Sequence, residues 1–270
     1  MGEYISIMNK KIAIYLGVVL MLFSSLSAKE ITTNQDAVLA TGMEMSNIRK
    51  MLEVYISIGN NITYRNPTEV LQKRIAGYEN LLVTLESNFQ NNTILTSVQQ
   101  SKKAWKPVKK ALVTALDKNV NKEEMKKTAV FIHGNIRAMI AELSFMKQYF
   151  LTKLTSKDKE SLNASIEIAA SARRLSAHYM MRMWKLDDTT IQEHWIKGLK
   201  IYADSLQVLE QSFFKNDMKF HKLLKECIKY HKYLTRMGKK ERFSPALVTK
   251  KTTIVFENAN KMTHIILSNK

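Results

Sequence analysis

Glycine and proline are scarce in this chain, 8 and 3 residues in 270. So few breakers exclude a turn-rich sandwich or barrel and favour long helices joined by short loops. No stretch shows the period-two alternation of a half-buried strand. One cysteine, Cys227, excludes an internal disulfide, so the fold must stand on packing alone. There is no Gly-rich phosphate loop, no Cys-x-x-Cys-His for covalent haem, and no nucleophile with a base at motif spacing. With no paired carboxylates on one apolar face either, an enzyme is not expected, and no catalytic residue is assigned. Acidic side chains are outnumbered, 24 against 42 Lys and Arg, leaving a net charge of +18. A basic balance of that size suits acidic partners. The lysines come in scattered pairs (102–103, 109–110, 126–127, 239–240, 250–251), as on solvated helix faces.

The N-terminus has the form of a targeting segment. Met8-Asn9-Lys10-Lys11 is basic, Ile12 to Phe23 is an apolar run of twelve, and Ser24 to Ala28 supplies small residues for cleavage. Twelve apolar residues fall short of the roughly 20 that span a bilayer. Residues 1–28 are therefore read as a signal peptide, and the mature protein is expected in the periplasm. The alternative is an N-terminal membrane anchor with the rest facing the periplasm. Export argues against nucleic acid as a partner.

What the sequence does have is helical spacing and a repeat. Apolar residues recur at three and four positions through Val38, Met45, Ile48, Leu52 and Ile56, then through Leu71, Ile75, Tyr78, Leu82 and Leu85. Gly59-Asn60-Asn61 reads as a helix stop, and Asn66-Pro67-Thr68-Glu69 as a start with its cap, first-turn proline and first-turn acid. Asn121 and Asp217 open two more helices. At an offset of 124 the chain echoes itself: Arg49 and Arg173, Tyr55 and Tyr179, Tyr78 and Tyr202, Leu82 and Leu206, Glu86 and Glu210, Phe89 and Phe213. A period this long implies a duplicated domain rather than a short-repeat solenoid. The expected fold is all-α, two tandem up-down four-helix bundles covering 33–152 and 155–268.

Two groups of residues could bind something. Cys227 and His231 lie four apart on one helical face, a spacing that can hold a metal. No further ligands accompany them, so they are read as a buried thiol beside a packed histidine, and no metal or cofactor is expected. The run Ile166 to Tyr179, with Ala172-Arg173-Arg174-Leu175-Ser176-Ala177-His178, resembles the first helix of the PilJ/NarX-type sensory domain. That domain is found in type IV pilus chemotaxis transducers and nitrate/nitrite sensor kinases. The resemblance implies a ligand-binding helical bundle in signal transduction. It also implies that first-helix arginines meet at a two-fold axis and hold an anion such as nitrate or nitrite. Carried over, it gives Arg173, Arg174 and His178 in the second half, and Arg49 and Lys50 in the first. Duplication would then place helix one against helix five, with Arg49 and Arg173 facing each other across an anion. Because the sequence shows no output module, a membrane receptor or sensor kinase is the expected partner. The competing expectation is a structural or interaction protein that docks a basic face on an acidic partner or membrane surface.

Overall fold

The computed structural model describes residues 31–63, 66–116, 121–155, 158–186, 189–238 and 243–268. The segment 1–28, read above as a signal peptide, lies outside them. Among the described residues there are eight α-helices, one 3-10 turn and no strand. The helices are α1 (Asn34–Gly59), α2 (Pro67–Asn88), α3 (Asn92–Thr114), α4 (Lys122–Thr152), α5 (Lys159–Met183), α6 (Ile191–Gln211), α7 (Met218–Met237) and α8 (Pro245–Ser268). The turn, Phe213–Asn216, precedes α7. None of these helices is long and apolar enough to cross a membrane.

The ends form where the sequence places them. Thr33 Oγ1 accepts from Asp36 N to start α1, and Asn61, at φ 56, supplies the left-handed residue after it. Asn66 caps α2 ahead of Pro67, Asn121 Oδ1 accepts from Glu124 N, and Asp217 Oδ1 accepts from Phe220 N. Pro107 sits inside α3 without interrupting it.

Each apolar stripe then finds its partners in a closed ring. Helices α1 to α4 pack in the cyclic order α1–α2–α3–α4, and α5 to α8 pack in the cyclic order α5–α6–α7–α8. Buried Tyr78 meets Trp105 edge-on at 4.8 Å between α2 and α3. The echo fails at one apolar position. Phe89, just past α2, rests on Phe150, whereas Phe213 is 81 % exposed. Helix α6 stops at Gln211, and the 3-10 turn rotates Phe214 into the core instead.

The two rings meet along α1 and α5. Gly42 stands against Ile166, Arg49 donates to the Ala170 carbonyl at 3.4 Å, and Gly59 stands against Trp184. Contacts in that order mean the helices run parallel and nearly in register, position n of α1 beside about n+124 of α5. Both are buried on almost every side. Small residues allow it: Gly42 and Ser46 on α1, and Ser165, Ala169, Ala170, Ala172 and Ala177 on α5, leave side chains short enough for close approach.

Candidate functional site: two pockets beside the central helix pair

Two pockets flank the α1–α5 seam. The larger, about 560 Å³, is walled by α1, α4, α5 and α6. The smaller, about 100 Å³, is walled by α1, α5 and α8 and the start of α2. Exchanging α1 with α5, α2 with α6 and α4 with α8 turns one set of helices into the other.

The five cationic positions singled out in the sequence divide between them. Arg49, Arg174 and His178 line the larger pocket; Lys50 and Arg173 line the smaller. The expected facing of Arg49 and Arg173 across one anion is therefore corrected. On two parallel helices in register, equivalent positions point to opposite sides of the pair, so each pocket takes a residue from one helix and the next residue along from the other. Both arginines are buried, and each has found protein partners. Arg49 donates to the carbonyls of Met45 and Ala170, while Arg173 donates to Thr253 Oγ1 at 3.0 Å and lies 4.6 Å over the Phe256 ring.

The smaller pocket carries its own anion. Glu53, fully buried, pairs with Lys50 at 2.5 Å and accepts from Thr249 Oγ1 at 3.2 Å. Burial by itself would raise this carboxyl, but Lys50 and Arg173 together bring it below the usual carboxylate range. A built-in carboxylate thus already engages Lys50 and faces Arg173, while Arg74 also lines this pocket.

The larger pocket is built differently. At 124 positions after Glu53 stands Ala177, which lines it and offers no carboxylate. Arg49, Arg137, Arg174 and Lys197 bring positive charge from α1, α4, α5 and α6. The single lining carboxylate, Glu167, is held at 2.5 Å by Lys147, which is fully buried and also donates to Asn163 at 2.7 Å. Arg174 Nη1 and His178 Nδ1 are buried without a hydrogen-bond partner. An unmet guanidinium N–H beside an unmet imidazole nitrogen in a cationic cleft favours a charged acceptor. Burial, and then Arg174, lower the proton affinity of Arg49 to about 9, so it stays cationic at neutral pH.

Two histidines that complete this wall, His133 and His194, were not singled out in the sequence; the third, His178, was. His133 of α4, His178 of α5 and His194 of α6 form one cluster. His133 and His178 approach through their Nε2 atoms at 3.2 Å, and His178 stacks on His194 at 5.6 Å with 14° between planes. Each is a lone histidine on its own helix. Burial, then His133, His194, Arg174 and Arg49, hold His178 well below the usual imidazole range. No grouping able to hold a metal occurs among the described residues. The other candidate pair is structural: Cys227 is buried beneath Tyr202, whose hydroxyl donates to the Cys227 carbonyl, and His231 Nε2 lies 3.1 Å from the Leu199 carbonyl.

No family model matches the chain, and neither a curated protein nor a solved structure is significantly similar to it.

Proposed function

We propose that the protein is an exported, non-enzymatic binding or sensory protein that holds an anion in the larger pocket beside α1 and α5. The observation that carries this reading is the contrast between the pockets. Where the smaller sets Glu53 against its cations, the larger has Ala177 and leaves Arg174 Nη1 and His178 Nδ1 unmet. The PilJ/NarX-type resemblance of 166–179 and the 124-residue echo are compatible with it. On this reading the chain is a duplicated sensory bundle whose periplasmic partner is a membrane receptor or sensor kinase. Nitrate or nitrite is the ligand the resemblance suggests.

Calorimetric titration with nitrate, nitrite, acetate and longer carboxylates tests it, on wild type, Arg174→Gln and Ala177→Glu. Wild type binds at least one of these, Arg174→Gln binds it at least about tenfold more weakly, and Ala177→Glu, which copies the built-in carboxylate of the other pocket, loses it. Binding by none, or equal binding by all three proteins, removes the anion site.

A second reading has its own observation. On α7, Lys219, Lys222, Lys225, Lys229 and Lys232 are all exposed, and the most exposed apolar side chains, Phe213 and Met218 (81 % and 87 %), lie at its start. This basic, apolar-tipped face suits docking on an acidic partner or an anionic membrane surface. Salt-sensitive sedimentation with anionic but not neutral vesicles, lost when three of these lysines become glutamine, would support it.

A further inference from the structure

Resting on the anion-binding reading above, we propose that the larger pocket takes an organic acid with an apolar body, and that its binding is coupled to uptake of a proton by the His133–His178–His194 cluster.

Size and walls set the ligand class. At about 560 Å³ the pocket is in the range of those that hold whole organic molecules, roughly 300–1,000 Å³. An inorganic oxyanion would meet the cations and leave the apolar part of the wall bare. Part of that wall is hydrocarbon: Met45, Leu52, Ile136, Ile140 and Ile201, from α1, α4 and α6. A carboxylate on an aliphatic or aromatic body satisfies both parts, the head on Arg174 and His178 and the body on the isoleucines.

The histidines set the proton linkage. Two imidazole nitrogens 3.2 Å apart share one hydrogen, donated by one ring and accepted by the other. With Arg174 and Arg49 beside it, neutral His178 keeps the lone pair on Nδ1 and donates Nε2–H to His133, which leaves the buried Nδ1 unprotonated and unmet. The groups that face it are Arg49 on α1, His133 and Arg137 on α4, Arg174 and Glu167 on α5, and His194, Lys197 and Glu193 on α6. Glu167 is already engaged by Lys147, so the balance is positive and keeps His178 and His194 neutral. An incoming carboxylate reverses that balance. A proton from solvent then adds at Nδ1 of His178, and the new Nδ1–H donates to the ligand while the hydrogen between the two Nε2 atoms stays in place. Proton and ligand each favour the other, so affinity must rise as pH falls. A metal ion is a poor occupant of the same cluster. It would face four cationic side chains, and stacked rings such as His178 and His194 do not converge their lone pairs on one point.

The test is titration calorimetry of the full chain with hexanoate, benzoate, acetate and nitrate at about pH 6 and about pH 8, each in two cationic buffers of different ionisation enthalpy. Hexanoate or benzoate is expected to bind at least about tenfold tighter than acetate or nitrate, because the body adds buried apolar area. Affinity is expected to fall severalfold towards pH 8, and the buffer dependence to report net proton uptake on binding. His178→Gln is expected to bind more weakly and without the uptake; His133→Gln, which leaves His178 in place, is expected to diminish the uptake and serves should the first variant not fold. Nitrate or acetate binding as tightly as the organic acids, or tight binding with no proton uptake, overturns the inference while leaving an anion site in place. Absence of binding by every anion refutes both readings together.

Discussion

Gly42 and Ile166 meet across the central helix pair with almost no room between them. A methyl group added at Gly42 would lie 2.5 Å from Ile166 Cγ2, a branch of a fully buried side chain that cannot swing aside. A helical glycine normally gains stability on becoming alanine, by about 0.5–1 kcal/mol. Here overpacking, typically ~1–3 kcal/mol, opposes that gain. Gly42→Ala is therefore expected to destabilise by about 1 kcal/mol and Gly42→Val by more, measured by urea unfolding. Gly77 and Gly134 face open space, so Gly77→Ala and Gly134→Ala should stabilise. Stabilisation by all three alanines would show that the seam is looser than described.

Glu44 makes the fold sensitive to pH. It is buried on α1, its Oε2 accepts from Asn47, and its Oε1 has no partner. Burial raises its carboxyl to about 7, against the lowering effects of Asn47 and Arg74. In the unfolded chain the carboxyl titrates in its ordinary range, about 4.5. Between those values the folded state holds the extra proton, so stability declines as pH rises through the interval and levels off above about 7. At ~1.4 kcal/mol per pH unit the loss is on the order of 3 kcal/mol. Unfolding of wild type and Glu44→Gln across this range checks it: the glutamine variant should lack that decline, and parallel curves would refute the assignment.

Cys227 should be silent until the protein opens. Burial pushes its thiol up to about 12, so almost no thiolate exists at neutral pH, and the side chain is shut beneath α6. Labelling by a thiol-specific disulfide reagent is expected to be negligible in buffer and to follow the unfolding transition in urea. Rapid labelling of the native protein would contradict the packing around Tyr202.

The helices were legible because each carries its own instructions. Asn66-Pro67, Asn121 and Asp217 start them, and the stripes ending at Leu85 and Leu209 face inward as spaced. The cationic residues were legible only singly. Periodicity says that Arg49, Lys50, Arg173 and Arg174 lie on the two most buried helices, but not which side of the pair each one faces. The repeat suggested like with like, Arg49 with Arg173. Parallel packing instead brings Arg49 near Arg174 and Lys50 near Arg173. His133 and His194 left no trace, because a convergence of three helices has no spacing in sequence. Phe213 misled for a local reason: a helix that ends two residues earlier turns a core position outward.

The parallel seam of α1 and α5 has a consequence for measurement. A cleft formed between two separate subunits exists only while they remain associated, so its apparent affinity weakens on dilution. Here both walls belong to one polypeptide, tied by the chain that runs through α2, α3 and α4. Occupancy at a fixed free ligand concentration should therefore be the same at nanomolar and at millimolar protein. The tether also frees the two pockets from having to match, so a substitution such as Glu53 or Ala177 can alter one while its counterpart stays as it was.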